Sequence, residues 1–311
     1  MRIDDPGKSA DDHRDGVLTG LIAYTLWGVF PVYFKIVGSV APAEVLVHRI
    51  VWAVPFGAAI IHFRRQWPDV YRTFAAPKTL FWLVLSAVFI SVNWFIYIWA
   101  VQQEQVFQAS LGYYINPLIY VLVGVAFLGE SLRRMQVAAV LLATAGVLVL
   151  TISGGEFPIV ALSLALLFTF YGVIRKQVVI GAMPGLFVET MVLFPLALVG
   201  LVWLMKAQQA AFAADGWQIS ALLMLAGPLT VIPLLFFAIA ARRLTLTAVG
   251  FMQFIAPTLQ FFVGIYYGEE LTTPHLICFA LIWIAVAIFS VDAFYTQSKK
   301  PPQAKPVRAD Y

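Results

Sequence analysis

Apolar positions in this chain come in long unbroken runs, and polar positions gather in the short joints between them. The runs cover residues 17–37, 43–62, 80–102, 106–128, 135–152, 157–174, 186–204, 219–241, 246–267 and 275–294. Each is close to the roughly 20 residues that an α-helix needs to cross the hydrocarbon of a bilayer. The strands of a membrane barrel would be shorter and would alternate apolar with polar residues, so the pattern predicts ten transmembrane helices. Residues 1–16 form a polar N-terminal tail and residues 296–311 a basic C-terminal tail, both read as unstructured.

Two stretches share a design. Residues 108–132 read QASLGYYINPLIYVLVGVAFLGESL, and residues 248–271 read AVGFMQFIAPTLQFFVGIYYGEEL. Both place a proline (Pro117, Pro257), then after six residues a glycine (Gly124, Gly264), then Gly-Glu-x-Leu (Gly129, Glu130, Leu132; Gly268, Glu269, Leu271). A proline inside a helix removes one hydrogen bond and kinks the backbone, which a membrane tolerates where neighbouring protein satisfies the freed carbonyl. The glycine permits close approach of another helix. The terminal glycine suits a helix C-cap, and the acid, with Ser131 or Thr272, suits the start of the next helix. Glu130 and Glu269 are therefore read as turn residues ahead of a coupling role.

The repeat extends further. YTLWGV at 24–29 is echoed by FTFYGV at 168–173, and Pro42 before the second run by Pro184 before the seventh. The halves are residues 17–152 and 157–295, with five helices each. Because five is odd, the second half enters the membrane from the opposite face, and the halves become inverted repeats about an axis in the membrane plane.

Composition supports the membrane reading: 61% of residues are hydrophobic and 12% charged, with a mean hydropathy of +0.87, far too apolar for an ordinary soluble domain. Arranging the basic residues by alternate loops puts seventeen of the 20 Lys and Arg on one side and only Lys35 and Lys206 on the other, with Arg49 inside a run. The positive-inside rule then makes both termini cytoplasmic in a multi-pass membrane protein. The net charge of +4 reflects this topology and calls for no nucleic-acid partner. The lone Cys278 lies in an apolar run and offers neither a disulfide nor a metal site. No H-E-x-x-H, G-x-S-x-G or phosphate-loop motif is present, so the chain reads as no enzyme, no self-contained ATP-driven pump and a user of no cofactor or metal.

With the local strings GLIAYTLWGVFPVYFK, HRIVW, NWFIYIWAV and SLGYYINPL, these features resemble the RarD family of EamA-type permeases, within the drug/metabolite transporter superfamily. The likeness runs from Val17 to Phe294 and thins in the second half, where Glu189 and Gln253 match but few long strings do. The resemblance implies that helices 1 to 4 and 6 to 9 line a central cavity while helices 5 and 10 sit at the periphery. It further implies export of metabolites or drug-like amphipathic and aromatic solutes by alternating access. An uptake carrier or exchanger of the same architecture is the alternative, and a non-transporting receptor or scaffold is the alternative from another class.

Polar groups in apolar runs are costly, roughly 2.5 to 3.5 kcal/mol per charge at mid-helix, and so mark the transport path. Glu44 and His48 stand four apart on one helix face, and Arg49 follows. Arg49 could grip the carboxylate of an anionic or zwitterionic solute, or equally pair with Glu44 or snorkel. Glu189 precedes Pro195 by six residues, as Arg49 precedes Pro55. Glu44, His48 and Glu189 are the candidates for proton coupling, each weighed against a packing role. Tyr24, Trp27, Asn93, Trp94, Tyr97, Trp99, Tyr113, Tyr114 and Asn116 form a mid-span aromatic and amide set, whereas Trp82, Trp203 and Trp217 fit the membrane interfaces. Gln253 precedes Pro257 by four residues and could meet the opened carbonyls or solute. Pro117 and Pro257 are the expected kinks of the moving helices. Partners are thus a small solute and lipid. The small-residue spacing of Ala139 and Ala143 could serve internal packing or a homodimer seam.

Overall fold

The apolar runs fold as helices, and no strand occurs among the described residues. The computed structural model describes residues 6–128, 133–155, 157–244, 249 and 252–298. In order the helices are α1 (Pro6–Gly28), α2 (Phe30–Ile36), α3 (Pro42–Phe63), α4 (Trp67–Phe74), α5 (Pro77–Gln102), α6 (Val106–Leu128), α7 (Arg134–Gly154), α8 (Ile159–Gln177), α9 (Ala182–Lys206), α10 (Trp217–Arg243), α11 (Ile255–Tyr266) and α12 (Thr273–Ser298). Seven stretches are long and apolar enough to cross a membrane, and α8 and α11 add two shorter apolar helices. α6, 23 residues long, carries Pro117 in its interior.

Two expectations need correction. The N-terminal segment is helical from Pro6, because extending an existing helix adds a hydrogen bond for each residue fixed. Asp15, near its end, pairs with Arg243 at 3.2 Å. The first run is not one helix but two, broken at Val29. Pro31 cannot donate to the Trp27 carbonyl one turn back, and that carbonyl instead accepts from Gln260 Nε2 at 3.2 Å. The joint after α3 holds the short helix α4, whose Val70 and Thr73 are buried while Tyr71 and Arg72 face out. The Gly129-Glu130 mark and Leu132 lie outside the described residues.

The chain gathers into two units. The first comprises Met1–Ile119 and Pro158–Leu271. Within it α3 packs on α5, α9 and α10, α1 on α10 and α11, and α5 on α8. Close crossings rest on glycine: a Cβ on Gly227 of α10 would overlap the Trp52 backbone of α3, and one on Gly112 of α6 would meet the Ala161 carbonyl at 2.7 Å. One apolar cluster joins Phe34, Val45, Tyr97, Ile98 and Leu164, and a second joins Ala53, Ile61, Leu83, Phe187 and Val231.

The second unit comprises Tyr120–Phe157 and Thr272–Tyr311, and its α7 and α12 pack along one another. Gly146 of α7 lies against the Cys278 carbonyl, where a Cβ would approach to 3.1 Å. Ala139 and Ala143 are buried within the chain. Arg133 pairs with Asp292 at 2.6 Å.

Candidate functional site

Arg49 lies in the second turn of α3, and with only 6% of its surface exposed it is a buried cation. It is not paired with Glu44. Its Nε donates to Thr230 Oγ1 of α10 at 2.7 Å, and the Thr230 hydroxyl donates to the Ala226 carbonyl at 2.8 Å, which fixes the plane of the guanidinium. The Trp94 ring of α5 lies 4.1 Å from its Cζ, and the Phe30 and Phe34 rings of α2 lie at 5.7 and 5.9 Å. These ring faces supply part of what water would have supplied to the charge. Among the described residues no carboxylate stands within 4.0 Å of it, and its two Nη groups carry no hydrogen bond.

Tyrosines and an amide extend this basket. Tyr97 stacks edge-on to Phe34 at 5.8 Å and lies 5.6 Å from Tyr113, and its buried hydroxyl has no partner. Tyr113 donates to Asn93 Oδ1 at 3.3 Å, and Asn93 Nδ2 donates to the Leu164 carbonyl of α8 at 3.0 Å. Tyr33 is tied to the Leu222 carbonyl of α10 at 3.0 Å. Helices from both halves of the chain thus converge on one cation.

The other candidates divide into separate groups. Glu44 is buried, and its two oxygens accept the backbone N–H groups of Ala211 and Phe212, each at 3.0 Å. The α9–α10 loop is thereby strapped to α3. The Phe212 ring lies 4.6 Å from the His48 ring. His48 Nδ1 accepts from Trp52 Nε1 at 3.1 Å, which places its proton on Nε2, 3.8 Å from Glu44 Oε1. Glu189 of α9 accepts from Ser86 of α5 at 2.6 Å through Oε1, which also lies 3.6 Å from Arg175 Nε of α8. The Tyr171 side chain of α8 is a further hydrogen-bond partner of this carboxylate. Gly185 makes room for Arg175, since a Cβ there would overlap the guanidinium.

Tyr24 and Trp27 pack with Phe237 of α10, and the Tyr24 hydroxyl reaches the Val249 carbonyl at 3.3 Å. Trp27 borders the cluster that holds Phe34 and Tyr97 without touching Arg49 through its ring. Asn116 is buried beside Thr169 Oγ1 at 3.5 Å. Gln253 is half-buried in the turn before α11, so Pro257 occupies the first turn of that helix. Pro117, by contrast, lies inside continuous α6. The two proline helices meet where Ser110 Oγ donates to the Pro257 carbonyl at 2.8 Å and Tyr114 pairs with Thr258 at 2.6 Å. Gly264 faces Phe107, whose ring a Cβ would approach to 2.7 Å. Gly268 is left-handed at φ +78°, as a C-cap glycine should be. Glu269 caps a helix start other than the expected one: both its oxygens lie 3.1 Å from Phe107 N at the head of α6.

Trp99 must be removed from the aromatic set. It stands five residues beyond Trp94, about 140° around the helix, and is exposed. Trp82, Trp203 and Trp217 are exposed near helix ends, as interfacial residues should be. Sequence reasoning missed Phe30, Tyr33, Phe34 and Thr230. The first three stand at helical spacing on one face of the string that carries the resemblance, and that spacing was a usable signal. Thr230 gave none.

Residues 14–152 match the EamA-like transporter family. "Protein RarD" of Salmonella typhimurium is 45% identical over 292 residues, covering 94% of this chain and 99% of that one. An uncharacterized transporter of Vibrio cholerae is 44% identical over 282 residues, covering 90% of this chain and 93% of its own. A solved crystal structure, 19% identical, superposes with a TM-score of 0.57 over 90% of this chain and 98% of that one, which speaks to fold alone. A relative this similar along nearly its full length leaves one assignment: the chain belongs to the RarD family of EamA-type membrane transporters.

Proposed function

We propose that the protein is a secondary carrier of the bacterial inner membrane that exports small metabolites or amphipathic, aromatic drug-like solutes by alternating access. Its ten spans form two inverted five-helix repeats, residues 17–152 and 157–295, with both termini cytoplasmic. The observation that carries the reading is Arg49. A buried cation ringed by Trp94, Phe30 and Phe34, with two Nη groups unbonded among the described residues, is costly to keep unless it meets something that enters. Its setting draws on helices from both repeats, as alternating access about a shared site requires.

The test is flux. Purified protein in liposomes should accelerate counterflow of a preloaded solute over protein-free vesicles, and Arg49→Ala should abolish it while the protein still inserts. Normal flux in that variant would reduce Arg49 to a structural role. A reporter fused after Lys300 should read cytoplasmic and one at Gly154–Gly155 external; an external C-terminus would sink the ten-span topology.

A further inference from the structure

We infer that the Arg49 site selects a monoanionic solute, a single carboxylate joined to a flat apolar body, over neutral, cationic and zwitterionic molecules of the same shape. The inference rests on the reading of this site as the solute site of a carrier. The guanidinium has used Nε on Thr230 and one face on Trp94, so the Nη edge is the part left to bind. That edge presents parallel N–H donors at the spacing of the two oxygens of a carboxylate. The Tyr97 hydroxyl, buried and without a partner in the neighbouring ring stack, is a further donor.

Charge bookkeeping excludes the other head groups. A zwitterion or amine would need an acid to receive its ammonium, and among the described residues no carboxylate stands within 4.0 Å of the Arg49 guanidinium. Glu44 holds two backbone N–H groups, and Glu189 holds Ser86 beside Arg175. A monoanion, in contrast, neutralises Arg49 and leaves no charge over. The rings of Phe30, Phe34 and Tyr97 then offer flat apolar surface to the rest of the molecule.

The experiment uses four probes of one shape: phenylacetate, phenylacetamide, phenethylamine and phenylalanine. Equilibrium dialysis on full-length protein in nanodiscs should find phenylacetate bound at least about tenfold tighter than each of the others, in keeping with a charge-assisted bidentate pair. Arg49→Gln should erase the preference, Arg49→Lys should restore it only in part because an ammonium lacks the fork, and Tyr97→Phe should weaken phenylacetate about fivefold while leaving phenylacetamide unchanged. Equal binding of the amide or the amine, a preference that survives Arg49→Gln, or no binding of phenylacetate overturns the inference. Counterflow of all four probes in liposomes separates this failure from that of the carrier reading. Flux of the amine or amide without the acid leaves a carrier with a different solute class, and absence of any protein-dependent flux removes the carrier as well.

Discussion

Glu44 and Glu189 are both about 1% exposed, yet their surroundings differ in kind. Glu44 has each oxygen on a backbone N–H of the α9–α10 loop, so its charge is spent on holding main chain. Glu189 is held by side chains, Ser86 and Arg175 at Oε1 and the Tyr171 hydroxyl as a further hydrogen-bond partner of the carboxylate. Backbone donors cannot turn away; side chains can. Burial therefore does not distinguish the two acids, and the identity of their partners does. By that measure Glu44 is a strap, and we propose Glu189, held by side chains, as the coupling acid.

Removing the strap should have the largest effect. Glu44→Ala leaves the Ala211 and Phe212 N–H groups buried without acceptors, at about 1 to 3 kcal/mol each. We expect a stability loss of about 3 kcal/mol or more, read as a lowered thermal midpoint in detergent and faster cleavage of the 207–216 loop by protease. An unchanged midpoint would break the comparison from the Glu44 side.

Glu189→Gln keeps an acceptor for Ser86 but takes the counter-charge from Arg175, so it should lower stability measurably while still inserting, and it removes the exchangeable proton. In liposomes with an imposed pH gradient, uphill solute movement should fall by about two orders of magnitude, the scale of losing a positioned proton-transfer group, while counterflow without a gradient persists. If Glu44→Gln gave that split and Glu189→Gln did not, the roles would be reversed. Ser86→Ala is the milder form of the same test. It should cost about 1 kcal/mol for the lost hydrogen bond and displace the pH midpoint of gradient-driven transport without abolishing it.

The helices were legible in the sequence because hydrocarbon imposes length and polarity on each span separately. α3, α5, α6, α7, α9, α10 and α12 begin and end within a few residues of the runs that predict them. The break at Val29 was less so, since it depends on Gln260, more than two hundred residues away, arriving at the Trp27 carbonyl. The site was half legible. Arg49, Trp94, Tyr97, Asn93 and Tyr113 stood out as polar or aromatic groups in apolar surroundings. Thr230, a small residue in an ordinary run, acquires its role only when α10 crosses α3 at Gly227. Glu44 and Arg49, five apart on one helix, looked available to each other, and only the three-dimensional placement of the loop at Ala211 and Phe212 takes Glu44 away.

Glu269 supplies the smallest effect and the sharpest control, because it is a backbone-holding acid like Glu44 but lies in the joint after α11, outside the spans. Burial pushes its carboxyl up to about 7, against the Phe107 and Val106 backbone N–H groups and Lys35, which favour the charged form. A carboxyl whose folded pKa lies above its unfolded one binds more protons folded than unfolded, so its contribution is fully present below about 4.5 and is lost as pH rises through about 7. The shift sets a ceiling of about 3 kcal/mol, which partial exposure reduces to about 1 kcal/mol. Thermal midpoints of the wild type in detergent should therefore decline between about pH 4.5 and about 7, the interval between those two pKa values. Glu269→Gln, which can still accept from Phe107 N but cannot ionise, should flatten that decline. A slope that survives Glu269→Gln would assign the pH dependence to another group.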